Sequence, residues 1–310
     1  MSTYIEINLL QSQSLITPEG LEKQGVKYMD FSIYDLFDDI PLIDVVDIGA
    51  SPIDGQPPYQ TLMDQGRANI IGFEPNPAQY NRLVPLQKQK CRFLPYAVGD
   101  GKSHTLNICL APGMTSLLEP DMAVLNHFQG FGQWAEIIDR QTLETRRLDD
   151  IEEITGMDFL KLDTQGSEFS IIQNGLQRIK QALVIHLEVQ FVPFYKKQPL
   201  FGDLDQALVQ AGFYLHRFTP LISRLFKPLV VENDIYAGLS QVLWTDAVYV
   251  RKFTEFPQLA SPQLLKIAAI THELYKSYDL CSFALGQADS KDGTKRQSLY
   301  LNRLTGRTSL

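Results

Sequence analysis

Val45-Val46-Asp47-Ile48-Gly49-Ala50 and Asn69-Ile70-Ile71-Gly72-Phe73-Glu74-Pro75 together decide the fold. The first apolar run ends in an acid and a glycine, the second in another acid. The two acids lie 27 positions apart. In a nucleotide-binding α/β sheet, the turn after the first strand lets backbone approach the ligand. The acid ending the second strand takes the ribose hydroxyls. The Gly-x-Gly-x-x-Gly dinucleotide pattern is missing: Gly49-Ala50-Ser51 runs into Pro52-Ile53-Asp54-Gly55, a turn that does not open a helix to seat a pyrophosphate. A ligand with ribose and no phosphate fits better, and S-adenosylmethionine (SAM) is such a ligand.

Outward from this pair, short apolar runs alternate with amphipathic segments. The strands expected are Leu42–Ile48, Asn69–Phe73, Arg92–Val98, Phe159–Asp163, Ala182–Val189, Phe213–Phe218 and Leu243–Arg251. Most are near-continuous apolar runs, the pattern of strands covered on both faces. A helix is expected over Asp203–Ala211, with Asp203 as cap and Gly212 as stop, and another over Ser167–Asn174. The alternation implies a mostly parallel sheet with ligands outside the carboxyl ends of its strands.

Three regions leave that rhythm, and they divide the chain. Residues 1–40 read as an N-terminal cover segment. Residues 41–255 form the sheet domain, with 111–147 as a lid or substrate-facing insertion carrying Met114, Phe128, Phe131 and Trp134, whose aromatics close over the acceptor or, equally, cover the core. Residues 256–310 read as a helical extension over Pro262–Leu280 followed, from Gly286, by a polar tail.

Composition bounds the function class. The chain has 310 residues, 44% hydrophobic and 21% charged, as in an ordinary globular protein. Its formal net charge of −8 argues against nucleic acid as the main partner. Cys91, Cys109 and Cys281 are widely separated, so neither a disulfide framework nor a zinc site is indicated and a reducing cytoplasm is the expected location. The first ten residues lack the order of a signal peptide, and no apolar run approaches the roughly 20 residues needed to cross a bilayer. No membrane partner is expected. Oligomeric state is not readable.

The segments in order resemble the FkbM family of SAM-dependent methyltransferases, from about Asp44 to Arg251. The resemblance rests on Asp47-Ile48-Gly49-Ala50, Gly72-Phe73-Glu74-Pro75, Tyr96-Ala97-Val98-Gly99-Asp100-Gly101 and Thr115-Ser116-Leu117-Leu118-Glu119-Pro120. It continues in Phe159-Leu160-Lys161-Leu162-Asp163-Thr164-Gln165-Gly166-Ser167-Glu168, in His186-Leu187-Glu188-Val189 with Pro193-Phe194-Tyr195, and in Trp244–Arg251. It implies a Rossmann-like class I methyltransferase fold, α/β, with a seven-stranded, mostly parallel sheet, helices on both faces and a reversed final hairpin. It implies O-methylation of a hydroxyl on a sugar, glycan or natural product, so a small-molecule or glycan acceptor. The first loop departs from the family's short glycine-rich turn, being the longer Ala50–Pro58.

The expected cofactor set is Asp47, Gly49, Ala50, Glu74, Asp100 and Asp163. Glu74 at a strand end accepts ribose hydroxyls, and Gly49 brings backbone close to the methionine part. Asp100, between Gly99 and Gly101, is expected on the adenine amine, largely from the resemblance; the alternative is an Asp-Gly turn. The expected catalytic set is Asp163, His186 and Glu188, acids and an imidazole at neighbouring strand ends. They either deprotonate a hydroxyl or hold a divalent metal that does so. His186 sits in Leu183-Val184-Ile185-His186-Leu187 and reads equally well as a satisfied core histidine. Asp246 is a weaker third acid. Two rival readings remain: a nicotinamide-dependent oxidoreductase, which lacks its glycine fingerprint here, and a non-catalytic scaffold, against which stand the retained acids.

Overall fold

The computed structural model of the chain describes residues 30–51 and 55–306. In chain order the first elements are β1 (Ile43–Ile48), α1 (Gln60–Asp64), β2 (Ala68–Phe73), α2 (Pro77–Leu83), β3 (Cys91–Leu94), β4 (Ala97–Gly99) and β5 (Ser103–Cys109). Next come α3 (Met122–Leu125), α4 (Phe131–Trp134), β6 (Ile137–Arg147), β7 (Phe159–Leu162), α5 (Glu168–Asn174), α6 (Leu176–Ile179) and β8 (Val184–Gln190). The chain continues through α7 (Phe201–Gln210), β9 (Phe213–Phe218), β10 (Ile222–Ser223) and β11 (Val242–Arg251). It finishes with α8 (Ser261–Tyr275), α9 (Tyr278–Asp292) and α10 (Arg296–Thr305).

The main sheet runs β3-β2-β1-β7-β8-β11, with β9 and β10 both paired along β11. The first five strands are parallel, and β11 is antiparallel to its neighbours. This is the Rossmann-like arrangement expected, with eight strands instead of seven. The extra one, β10, is a two-residue continuation beyond β9. Helices cover both faces. On one, Val46, Ile48, Leu160, Leu162 and Leu187 pack against Ile171, Ile172, Leu204 and Leu208 of α5 and α7. On the other, Val45, Phe159, Val184 and Val248 pack against α8, α9 and the segment Phe31–Ile40.

Several expectations are corrected. Arg92–Val98 is not one strand. Pro95 offers no N–H and breaks it, so β3 stays in the main sheet while β4 joins a separate sheet of order β4-β6-β5. Residues 111–147 are more than a lid, because 137–147 form β6, an eleven-residue strand antiparallel to β5. Asp203 is not the cap of α7: it lies in the first turn and accepts the N–H of Leu200 at 2.9 Å. Pro262–Leu280 is interrupted at Lys276, whose left-handed φ of 51° ends α8. Beyond Gly286 the chain is helical. A Cβ on Gly286 would lie 2.7 Å from the Gln297 side chain, so the glycine lets α10 pack on α9. Asp289 then accepts the N–H groups of Arg296 and Gln297 at 2.9 and 2.8 Å.

Among the described residues, no helix is long and apolar enough to cross a membrane.

Candidate functional site

The register of the parallel strands sets out the polar residues in two rows. Asp47, Lys161 and His186 are direct neighbours across β1, β7 and β8, so they share one face of the sheet. Two positions on, at the carboxyl edge and on the same face, stand Gly49, Asp163 and Glu188, with Asp246 opposite Glu188 on β11.

Lys161 is the centre of the inner row. Its ammonium donates to the carbonyl of Gly49 at 2.7 Å and lies 3.4 Å from Asp47 and 3.5 Å from Asp163. Burial alone would lower its pKa. The facing carboxylates of Asp47 and Asp163 more than offset this and hold it above the ordinary lysine range. Asp47 is 2% exposed and accepts the Tyr59 hydroxyl at 2.6 Å. The lysine was legible in principle: a cation at an alternating position of an apolar strand needs a carboxylate partner.

The turn after β7 is built with care for the outer row. Gln165 takes a left-handed φ of 55°, which is costly for a residue with a side chain. The cost is met by contacts at every atom of its amide. Its NH₂ donates to Asp163 at 3.0 Å and to Glu188 at 3.1 Å. Its oxygen accepts the Tyr195 hydroxyl at 3.3 Å. Ser116 donates to its backbone carbonyl at 2.5 Å. Glu168, 2% exposed, closes the turn by accepting the N–H groups of Thr164 and Gly166, and burial pushes its carboxyl up.

Two cavities open at this edge. The first is walled by Gly49, Phe73, Glu74, Val98 and Asp163, together with Thr115 and Ser116 of the insertion. Glu74, 5% exposed, is held there by the Asn76 N–H at 2.8 Å. Burial pushes its carboxyl up to about 7, against the lowering pull of that N–H and of Lys161. Gly49 has a φ of 84°, and a Cβ on it would lie 1.8 Å from the Asp163 carbonyl oxygen. Only glycine allows the turn to sit this close to β7. The second cavity lies toward α1 and is walled by Asp47, Tyr59, Lys161, His186 and Asp246. Ser51 and Asp163 line both.

The site residues expected from sequence are thus divided. Gly49, Glu74 and Asp163 face the first cavity, while Asp47 and Ala50 face the second. Asp100 reaches neither. It pairs with His104 at 2.7 Å and accepts the Lys102 N–H, and the His104 contact leads in lowering its pKa. These contacts are those of a β4–β5 turn acid. Asp163 and Glu188 meet through Gln165, but Glu188 lines neither of the two cavities. His186 does not converge with them. One row deeper and 6% exposed, it contacts the Tyr275 hydroxyl through Nδ1 at 3.0 Å and Asp246 through Nε2 at 3.4 Å.

The donor set does not fit a divalent metal. Lys161 already neutralises Asp163, and the Gln165 amide occupies the facing oxygens of Asp163 and Glu188. Among the described residues no three His, Cys, Asp or Glu side chains are grouped to hold an ion. The first cavity does fit a ribose-bearing ligand: a buried strand-end carboxylate faces it, beside a turn that only glycine can make.

The methyltransferase FkbM domain family matches residues 47–215. The 2-O-methyltransferase NoeI of Sinorhizobium fredii (strain NBRC 101917 / NGR234) is 27% identical over 174 residues, covering 52% of this chain and 69% of its own. Two solved structures are more distant. Magnesium protoporphyrin IX methyltransferase (ChlM) of Synechocystis PCC 6803, with bound SAM, is 13% identical, with a TM-score of 0.33 over 69% of this chain and 73% of its own. A SAM-dependent methyltransferase of Mesorhizobium loti is 9% identical, with a TM-score of 0.35 over 71% of this chain and 95% of its own.

Proposed function

The chain belongs to the FkbM methyltransferase family, and from that premise we propose that it is a SAM-dependent O-methyltransferase acting on a hydroxyl of a sugar, glycan or natural product. The observation that carries the reading is Glu74. A buried carboxylate ends β2 and faces a cavity beside the glycine turn after β1, whose Gly49 N–H donates to the Phe73 carbonyl at 3.0 Å. When bound, SAM supplies a methyl group on a sulfonium that is already activated. Glu74 accepts the ribose hydroxyls, and Val98 with Phe73 gives the adenine an apolar wall. Gly49 admits the methionine end, and Asp163, held by Lys161 and Gln165, stands beside the methyl donor. A hydroxyl acceptor is a weak acid, so a proton acceptor must accompany the positioning of the two reactants. The name of the 27%-identical relative supports oxygen as the target atom.

Calorimetric titration of one preparation with SAM and with NAD tests the donor assignment. SAM should bind and NAD should not, whereas the reverse would return the oxidoreductase reading. Incubation with methyl-labelled SAM and a metabolite extract then identifies the labelled product, and label on nitrogen or carbon would remove the O-methyl assignment.

A further inference from the structure

We propose that the second cavity is the acceptor pocket, that it takes a neutral polyhydroxylated acceptor of the pyranoside type, and that Asp246 receives the hydroxyl proton while His186 positions Asp246. The proposal rests on the reading that the first cavity holds SAM.

Position is the first argument. Ser51 and Asp163 line both cavities, so a donor in the first and an acceptor in the second meet at those residues. Chemistry is the second. Three carboxylates, Asp47, Asp163 and Asp246, line the second cavity against the single ammonium of Lys161. The surplus of negative charge repels phosphate and carboxylate groups, whereas hydroxyls donate well to carboxylates. Tyr59, Phe93 and Met63 supply an apolar side to the same space, matching the mixed polar and apolar faces of a sugar ring. Unmet hydrogen-bonding capacity is the third. Ser51 Oγ is buried with no hydrogen-bond partner among the described residues, and Asp47 Oδ1 has only the Lys161 ammonium, at 3.4 Å. Such atoms are costly unless something fills the place.

The division of labour follows from His186. Its ring is 6% exposed and both nitrogens are engaged, so it has no free position for an acceptor proton. Asp246 is different: its side chain is 45% exposed, open both to the cavity and to water. The contact to His186 and the charge of Lys161 outweigh its burial and keep it ionised. In the step, a lone pair on the acceptor oxygen forms the bond to the methyl carbon. The carbon–sulfur bond breaks with its electron pair going to sulfur, which leaves as a neutral thioether. The oxygen becomes strongly acidic as its new bond forms, so a carboxylate is base enough. The proton passes to Asp246 and from there to solvent.

The test uses the full chain saturated with S-adenosylhomocysteine and a panel of methyl α- and β-pyranosides of glucose, galactose, mannose and their 6-deoxy forms. Saturation-transfer NMR reads binding, labelled SAM reads transfer, and calorimetry reads the SAM Kd. At least one pyranoside should bind and become methylated. Asp246→Asn should cut transfer at least roughly 100-fold with the SAM Kd within about twofold of wild type. Met63→Trp, which fills the pocket from α1, should abolish pyranoside binding and spare SAM. His186→Gln, which keeps a donor toward Asp246, should retain transfer where His186→Leu loses it. The proposal is overturned if no pyranoside binds, if Asp246→Asn transfers like wild type, or if Met63→Trp leaves pyranoside binding intact. Failure of the wild-type protein to bind SAM would overturn the donor reading itself.

Discussion

Burial pushes the Glu74 carboxyl up to about 7 from an ordinary 4.5, and this has two consequences of opposite sign. The folded, unliganded protein binds a proton that the unfolded chain has released, so its stability falls as pH rises from 4.5 to about 7. Ribose hydroxyls need the ionised acceptor, so SAM affinity should strengthen over the upper part of that range and level off above it. Calorimetry across pH 5.5–8.5 should show this trend in wild type and a flat profile in Glu74→Gln. Glu74→Ala should bind SAM at least roughly tenfold more weakly while still folded, since two charge-assisted hydrogen bonds are worth about 1.5–3 kcal/mol each. Unchanged affinity in a folded variant would remove the ribose role. Lys161→Met should leave the buried Asp47 and the half-buried Asp163 with no cation between them. Breaking a buried pair costs about 3–5 kcal/mol, so Tm should drop on the order of 10 °C. A Tm within two degrees of wild type would show that water reaches both carboxylates. At this scale the sequence spoke clearly where a residue ends a strand, as Gly49 and Glu74 do. It was ambiguous for Asp100, because an acid between two glycines satisfies a turn as readily as a ligand. It was silent on which partner His186 would choose, because Tyr275 lies 89 positions away.

Among the elements, the stretch between β5 and β6 shows how packing overrides a lid-like sequence. Phe128 and Phe131 line neither of the two cavities: they are 2% and 3% exposed and form a third core with Leu125, Phe194, Tyr195 and Leu243. Trp134 stacks on Tyr236 at 5.6 Å, joining the insertion to the loop before β11. Only the segment around Thr115 and Ser116 faces the first cavity. Phe131→Ala should therefore cost about 3–5 kcal/mol. Trp134→Ala should lower Tm by a few degrees and leave the SAM Kd unchanged. A weakened SAM Kd in Trp134→Ala, with Tm intact, would restore a lid role to the aromatics. The buried parallel strands were legible because both faces are covered and the runs stay apolar. β6 was not, because nearly all of its eleven residues are exposed or half-buried and carry no apolar alternation. α9 was missed for a related reason. It buries the small residues Cys281, Ala284 and Ala288 with Leu285, while Asp289, Lys291 and Asp292 give its last turns the look of a tail.

Over the whole molecule, the residues matched by the family stop at 215, but the core does not. β11 lies between β8 and β9 and comes from residues 242–251, so the sheet is incomplete without it. Beyond it, α8 is buried on almost every side: Leu264, Ile267, Ala268, Ala269, Ile270 and Thr271 are all fully enclosed. Its His272 donates through Nε2 to the Phe31 carbonyl and contacts the Tyr300 hydroxyl of α10 through Nδ1, and its Glu273 accepts from the Ser32 hydroxyl and the Ile33 N–H. The helices after the sheet therefore fasten the first described residues to the face that carries Asp47, Lys161 and His186, and Tyr275 at the end of α8 is what holds the His186 ring. Removing residues 253–310 would expose at least the three large aliphatic side chains just named and their partners on the sheet. At about 1.5–3 kcal/mol for each, the loss is on the order of 10 kcal/mol or more, comparable to the whole stability of a domain. The chain truncated after Lys252 should accordingly be insoluble or lack a cooperative transition, and should bind no SAM. The full chain should instead unfold in one calorimetric step. A soluble truncation that melts cooperatively and binds SAM with wild-type affinity would show that the sheet folds without its C-terminal cover.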